Sequence, residues 1–179
     1  MPDLQPLDAG HAPAVLAFEL ANRAYFAASI SDRGDDYFER FADRHDDSLA
    51  EQETGISAFY VLVTDDGAVL GRFNLYDIGA HTANLGYRVA QHASGRGLAT
   101  TTVRELCGLA AAHHGLRTLR AATSLQNIAS QKVLTRTGFV PVGPADIGGR
   151  AGTWYERDLT RSAGDGRLTR GTPPDSINA

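Results

Sequence analysis

The sequence predicts one mixed α/β domain in which helices flank a mostly antiparallel central sheet. Two observations support this fold class. A run of β-branched and aromatic residues at 58–76, interrupted by Asp65-Asp66-Gly67, is typical of a hairpin that continues into a meander. After that meander, strand-like and helix-like segments alternate, which adds a β-α-β-α-β-β series. At 179 residues, the chain is long enough for a single domain with a sizeable core.

The N-terminal third combines one short strand with helices. Leu4–Leu7 is predicted as the first strand. Pro13 suits the first turn of a helix over Ala14–Ala28, a segment rich in good helix formers. A second helix is predicted over Asp35–Gln52, where apolar residues recur on one face and acidic residues lie elsewhere.

Three strands follow, and each is bounded by turn residues. Ala58–Thr64 and Ala68–Tyr76 are predicted as the hairpin, and Ala83–Val89 as the fourth strand of the chain.

The C-terminal half is predicted to complete the sheet. A helix with Val103, Leu106, Cys107 and Ala110 at helical spacing ends at Gly115. The next predicted elements are a strand at Leu119–Thr123 and a helix at Asn127–Arg136. Two closing strands are predicted after them, Phe139–Val142 and Trp154–Leu159. The segment Gly143–Gly152 is predicted as a loop. We expect residues 1–160 to form the domain and residues 161–179 to form a flexible tail, because the tail has little to bury.

The segment Ser94–Thr100, Ser-Gly-Arg-Gly-Leu-Ala-Thr, is the most informative part of the chain. Its two glycines lie between a predicted strand and a predicted helix, so backbone N–H groups and the positive end of the helix dipole can face a phosphate. A P-loop is a weak interpretation because the only lysine, Lys132, does not follow a glycine. A dinucleotide-binding loop is also weak, because Thr100 replaces the third small residue and the loop follows a meander.

Composition narrows the function classes. The formal net charge of −4 gives no general case for nucleic acid or for an anionic membrane. No apolar run is long enough for a membrane span, the N-terminus lacks the features of a signal peptide, and Cys107 is the single cysteine. We therefore expect a cytoplasmic protein, monomeric or homodimeric. We expect no metal site, because the histidines and the cysteine show no ligand spacing.

The chain has Leu85–Val89 followed by Gly95–Thr100, and Asn127–Leu134 with Gly138-Phe139 beyond it. These two motifs in register resemble the Gcn5-related N-acetyltransferases (GNAT), in particular the RimJ/RimL-like branch. Leu85-Gly86-Tyr87-Arg88-Val89 followed by Gly95–Thr100 resembles the superfamily's acetyl-CoA pyrophosphate loop, although Ser94 stands where Gln or Arg is frequent. The segment 127–134, Asn-Ile-Ala-Ser-Gln-Lys-Val-Leu, with Gly138-Phe139 beyond it, matches the branch pattern Asn-x-x-Ser-x-x-Val-Leu. The order of elements extends the resemblance over Leu4–Leu159.

The resemblance implies acetyl-CoA as donor, a primary amine as acceptor, and a gap between the fourth and fifth strands for the pantetheine arm. The cofactor-binding residues it implies are Tyr87, Arg88, Val89, Gly95, Arg96, Gly97, Leu98, Ala99, Thr100, Asn127 and Ser130. Direct attack by the amine needs no enzyme nucleophile, but it needs a base for the amine and a proton donor for the thiolate. Ser130 is the implied donor. We expect Glu19 to be the base, acting through a water, with Asp77 and His81 as rivals.

The acceptor is less well defined by the sequence. The RimJ/RimL resemblance suggests a protein N-terminal amine, such as that of a ribosomal protein. Related branches acetylate small amines, including antibiotics, amino sugars and polyamines, and a non-catalytic acyl-CoA-binding module on the same fold is a further alternative. The acidic segment 32–47 could attract a cationic acceptor, but a solvated helix face explains it equally well.

Overall fold

The computed structural model describes residues 1–161, and its elements follow the predicted order. The tail at residues 162–179 lies outside the described residues. The strands are β1 (Asp3–Pro6), β2 (Ala58–Val63), β3 (Val69–Gly79), β4 (Thr82–Val89), β5 (Thr118–Ser124), β6 (Val140–Ile147) and β7 (Arg150–Asp158). The helices are α1 (Ala12–Ala21), α2 (Arg23–Ala27), α3 (Asp35–Glu39), α4 (Phe41–Thr54), α5 (Leu98–His114) and α6 (Ile128–Arg136). No helix over residues 1–161 has both the length and the apolarity needed to cross a membrane.

A single seven-stranded sheet organises the domain, in the order β1-β2-β3-β4-β5-β7-β6. Every neighbouring pair is antiparallel except β4 and β5, which are parallel. Those two strands pair only where Thr82–Asn84 faces Thr118–Arg120. Beyond that point β4 pairs only with β3 and β5 only with β7, so the sheet opens along its length. The predicted fold class and the predicted gap between the fourth and fifth strands are confirmed.

The sheet separates two apolar cores. Phe73, Leu75 and Leu85 point to one side, where they pack with Val103 and Leu106 of α5. The other side is covered by α1, α2 and α4; its core consists mainly of Phe18, Phe26, Phe41, Phe59, Val61 and Val63. Because side chains alternate along a strand, Arg72, Asn74 and Tyr76 of β3 must face this second side. We call the two sides the α5 face and the α1 face.

The two predicted N-terminal helices are each interrupted. Asn22 leaves helical geometry at φ −109° and ψ 6°, which separates α1 from α2. Its side chain is used twice: the amide nitrogen donates to the Phe18 carbonyl, and the amide oxygen accepts from the Gln91 N–H. Arg40, at φ −109° and ψ 28°, separates α3 from α4 in the same way. Asn22 therefore joins the helical layer to the end of β4, a tertiary contact that periodicity does not show.

The predicted loop at Gly143–Gly152 is wrong, because most of this segment is strand. β6 and β7 continue through it as a long hairpin and turn at Gly148 and Gly149, both at positive φ (59° and 83°). Gly152 lies against β5 so closely that an added Cβ would be 2.5 Å from the Thr123 carbonyl oxygen. These glycines therefore allow a tight turn and a close approach of two strands. In the sequence, a segment rich in such glycines has the composition of a loop.

Candidate active site

The opening between β4 and β5 forms a cavity of about 340 Å³. One wall is Leu85–Arg88 of β4 and the opposite wall is Ala121–Ser124 of β5. Asn127 and Ser130 lie at the edge of the cavity on the α5 face, and Arg33 and Asn74 line it from the α1 face. The cavity therefore connects both faces of the sheet, so two reactants can approach each other from opposite sides.

Tyr87 and Ser130 meet across this opening. Their hydroxyl oxygens are 3.1 Å apart, and the Tyr87 ring stacks on Phe73. Burial raises the pKa of Tyr87 to about 12, although the hydrogen bond with Ser130 acts in the opposite direction. The phenol therefore stays protonated at neutral pH and can donate a hydrogen bond.

Asn127 positions Ser130 through the backbone. Its side-chain oxygen accepts the Ser130 N–H at 3.1 Å and caps α6. The Ser130 hydroxyl is thereby held at the first turn of the helix, facing Tyr87. The spacing of the Asn-x-x-Ser motif has this local structural reason in addition to any contact with a ligand.

The glycine segment follows β4 directly and ends at the first turn of α5. Gly95 and Gly97 have φ of 77° and 78°, and an added Cβ at either position would project into open space. Gly97 is the residue before α5, and no side chain caps this helix N-terminus. The first N–H groups of a helix have no partner within it, so those of Leu98–Thr100 are available to an external acceptor. This local geometry fits a pyrophosphate, with the exposed Arg96 beside it.

Four charged side chains form a cluster on the α1 face, which we call the Glu19 cluster: Glu19, Arg33, Arg72 and Arg88. The Glu19 oxygens lie 2.7 Å from Arg72, 3.2 Å from Arg33 and 3.4 Å from Arg88. A second Arg33 nitrogen donates to Glu19 at 3.3 Å. Arg72 and Arg88 are direct cross-strand partners, so the sheet itself sets two of the positive charges side by side.

Glu19 is therefore held by partners rather than free to take up a proton. Its side chain is 1% exposed and it does not line the cavity. Burial acts to raise its pKa, but attraction to Arg33, Arg72 and Arg88 outweighs burial and holds the pKa below its usual value. A carboxylate with a lowered pKa is a weak base, so this geometry disfavours the base assignment expected from the sequence.

The rivals Asp77 and His81 lie away from the cavity. Both have positive φ (51° and 67°) near the turn that joins β3 and β4, at the end where β4 and β5 are paired. Asp77 accepts a hydrogen bond from Asn84, and a His81 ring nitrogen lies 3.1 Å from the Gly115 carbonyl oxygen. Their positions suit turn geometry and anchoring of the α5 end better than proton transfer.

Asn74 is a site residue that the sequence analysis missed. It is 6% exposed and lines the cavity; its amide nitrogen donates to the Tyr76 hydroxyl at 2.9 Å. Its amide oxygen is buried and has no hydrogen-bond partner among the described residues. A buried acceptor without a donor is costly, so this oxygen is suited to an N–H of a ligand. The signal in the sequence was the polar alternation Arg72-Phe73-Asn74-Leu75 within an otherwise apolar strand.

The acidic segment is partly neutralised by neighbouring arginines. Arg23 lies 2.7 Å from Asp32 and 2.8 Å from Asp35, and Arg44 lies 3.2 Å from Asp36. These exposed pairs are consistent with the solvated-face interpretation.

Comparison with known proteins places this architecture in a described family. Residues 3–140 match the family model described as Acetyltransferase (GNAT) domain. The chain is 27% identical over 150 residues to the probable N-acetyltransferase YjcK of Bacillus subtilis (strain 168). This alignment covers 79% of this chain and 82% of that protein.

Solved structures show the same fold. RimL, a ribosomal L7/L12 alpha-N-protein acetyltransferase in complex with coenzyme A, superposes with a TM-score of 0.78 at 19% identity and covers 88% of this chain and 93% of its own. A chimera of the spermidine N-acetyltransferase SpeG from Vibrio cholerae superposes with a TM-score of 0.75 at 14% identity, covering 89% and 96%.

Proposed function

The chain belongs to the GNAT acetyltransferases, and from that premise we propose that its acceptor is a protein N-terminal α-amine. It is an acetyl-CoA-dependent N-acetyltransferase of amines. The observation that carries the choice of acceptor is the charge of the cavity. Within residues 1–161, the charged side chains that line it are Arg33, Arg88 and Arg150.

Positive surroundings favour a neutral amine over an ammonium ion. An α-amine has a pKa of about 7.7–8.0, whereas a lysine amine has about 10.4. At pH 7, roughly one α-amine in ten is therefore already neutral, against fewer than one lysine amine in a thousand. An α-amine can attack without a strong protein base, and the nearby guanidinium groups lower its pKa further.

In this proposal, backbone N–H groups of Gly95–Thr100 and the Arg96 side chain hold the pyrophosphate. The backbone of Tyr87–Val89, unpaired on its β5 side, faces the pantetheine arm, and Asn127 borders the same opening. Acetyl-CoA supplies the thioester whose acetyl group is transferred.

The hydroxyl groups of Tyr87 and Ser130 then supply a proton to the leaving thiolate. The amine nitrogen bonds to the carbonyl carbon as the carbon–sulfur bond breaks, and the electron pair of that bond leaves on sulfur. Ser130 passes its proton to the thiolate and takes the proton of Tyr87, which is protonated at neutral pH and hydrogen-bonded to it. Tyr87 is then reprotonated from solvent, which balances the proton that the amine loses to solvent.

On the amine side, we propose a positioning role for two residues. The Asn74 amide oxygen accepts an N–H of the acceptor and orients its lone pair. Glu19 keeps Arg33, Arg72 and Arg88 in place, and the proton lost by the amine goes to solvent. The small-amine alternative differs in its acceptor, and a polycation such as spermidine would meet like charge in this cavity.

The test is release of CoA thiol from acetyl-CoA with a matched set of amines: ribosomal-type N-terminal peptides, the same peptides with a blocked α-amine and one free lysine, spermidine and an aminoglycoside. We expect the free α-amine peptides to give the highest kcat/KM. Higher kcat/KM with spermidine or with the lysine peptides would refute the proposed acceptor.

A further inference from the structure

We propose that the acceptor carries an anionic group, a carboxylate or a phosphate, close to its amine, and that Arg33 and Arg88 bind this anion. The inference rests on the proposed function as an amine acetyltransferase and narrows its substrate class. It depends on the charge balance and the position of the Glu19 cluster.

The cluster contains more positive charge than its carboxylate can balance. Three guanidinium groups share the single Glu19 carboxylate, which leaves an excess of two positive charges on the described side chains. Glu19 already accepts two Arg33 nitrogens and one from Arg72, so its capacity is nearly used. Arg88 reaches it through one long contact of 3.4 Å. Its remaining guanidinium N–H groups are therefore suited to a further acceptor.

The lowered pKa of Arg88 also indicates that its positive charge is poorly balanced. Burial, followed by repulsion from Arg33 and Arg72, holds the pKa of Arg88 below its ordinary value. The side chain stays cationic but is poorly compensated. An anion beside it would relieve both costs, because a buried charge is tolerated when it is paired and hydrogen-bonded.

The position of the uncompensated charge matches the acceptor side of the cavity. Arg33 and Arg88 line the cavity together with Asn74 on the α1 face. Each of the two guanidinium groups lies over an aromatic ring, Arg33 over Tyr37 and Arg88 over Phe26. These contacts hold both guanidinium groups in place without using their N–H donors. The Tyr37 hydroxyl accepts a hydrogen bond from Arg72 at 3.2 Å and does not use the N–H groups of Arg88. An amine bound near Asn74 thus has two rigid anion-binding groups within the same cavity.

Long-range charge does not account for such a preference. The formal net charge of the whole chain is −4, which repels anions in bulk. A preference for an anionic acceptor must therefore arise locally, and removal of Arg33 or Arg88 should abolish it.

The test compares acceptors with and without an anionic group. The probes are C-terminally amidated tetrapeptides Ser-Asp-Ala-Ala and Ser-Asn-Ala-Ala, and phosphoethanolamine against ethanolamine; the first pair offers a peptide carboxylate and the second a small phosphate. Since hydrogen bonds to charged groups contribute about 1.5–3 kcal/mol, we expect kcat/KM to be about tenfold or more higher for the anionic member of at least one pair.

Variants locate the effect. Arg88→Gln and Arg33→Gln should reduce this preference to about onefold, chiefly through KM, since each removes one charge-assisted contact. Arg117→Gln is the matched control, because Arg117 is exposed and lies at the paired end of β5. It should keep the preference.

Binding separates failure of this inference from failure of the proposed function. Calorimetry of the CoA-bound protein with the two tetrapeptides needs no turnover. Tighter binding of the Asp peptide, lost in Arg88→Gln, supports the inference even if neither peptide is acetylated, in which case the proposed acceptor alone fails. Equal binding of both peptides, binding of neither together with equal turnover of both pairs, or a preference kept in both arginine variants would overturn the inference.

Discussion

Glu19→Gln is the substitution that best separates a structural carboxylate from a catalytic base. It keeps the shape of the side chain and removes its charge. Three arginines, 2.7–3.4 Å from the Glu19 oxygens, would lose their common counter-ion. If Glu19 mainly holds the arginines, the variant should lose stability and any loss of activity should follow from misplaced arginines.

The expected size of the effect follows from burial. Removing one partner of a buried ion pair typically costs about 3–5 kcal/mol. Arg33 is 28% exposed and can be rehydrated, so we expect the lower part of that range, about 3 kcal/mol. For a chain of this size, 1 kcal/mol corresponds to about 2–4 °C, so Tm should fall by about 6–12 °C.

The effect should depend on pH with a definite sign. The pKa of Glu19 is lower in the folded protein than its ordinary value, so the unfolded chain takes up this proton first as pH falls. The stabilisation is therefore present above the unfolded-state pKa of about 4.3 and is lost as pH drops through the folded pKa. The Tm difference between wild type and Glu19→Gln should be full at pH 6–8 and shrink in acid.

The assay is thermal unfolding over that pH range, paired with kcat/KM profiles. Glu53→Gln, the same chemical change at an exposed position of α4, is the control and should leave both unchanged. An unchanged Tm, combined with a low-pH loss of kcat/KM that recovers at high pH, would refute the structural role and identify Glu19 as the base.

Three further substitutions test other parts of the site and the fold. Gly97→Asp should weaken CoA binding by more than tenfold, about 1.4 kcal/mol, in calorimetry, because it sets a negative charge at the uncapped N-terminus of α5; Gly97→Asn, with the same shape and the same strained φ, should lose much less, and equal losses would contradict a phosphate at this place. Ser130→Ala should lower kcat by about tenfold to a hundredfold while CoA affinity stays within about twofold, since the cap on α6 uses the backbone N–H of residue 130; an unchanged kcat would show that the hydroxyl does not protonate the thiolate. Gly152→Ala should destabilise the domain by about 1–3 kcal/mol in denaturant unfolding, because its Cβ would meet the Thr123 carbonyl oxygen, whereas Gly143→Ala in β6 has free space and should be nearly neutral; similar midpoints for the two variants would argue against the close approach of β5 and β7.

Local sequence was sufficient for the order of elements and for the glycine segment before α5. A nearly continuous run of β-branched and aromatic residues, interrupted by Asp65-Asp66-Gly67, determines the hairpin of β2 and β3, because a strand covered on both faces is apolar at almost every position. Gly95 and Gly97 before α5, and Asn127 before α6, act within a few residues of themselves, so their roles as helix starts can be predicted without the fold. The hairpin at 140–158 is one exception, since its turn and close-approach glycines have the composition of a loop. The interruptions of the N-terminal helices at Asn22 and Arg40 are another.

The tertiary structure decided the chemistry on the acceptor side. Glu19, Arg72 and Arg88 come from α1, β3 and β4, and Arg33 comes from the loop before α3. No spacing along the chain shows that one carboxylate balances three arginines. The orphaned oxygen of Asn74 and the aromatic neighbours of the arginines likewise depend on which residues meet across the sheet. Helix starts, turns and strand alternation are set by contacts over a few residues, so the sequence determines them by itself. Burial, charge balance and pKa shifts depend on contacts between residues tens of positions apart, and these contacts form only when the chain folds.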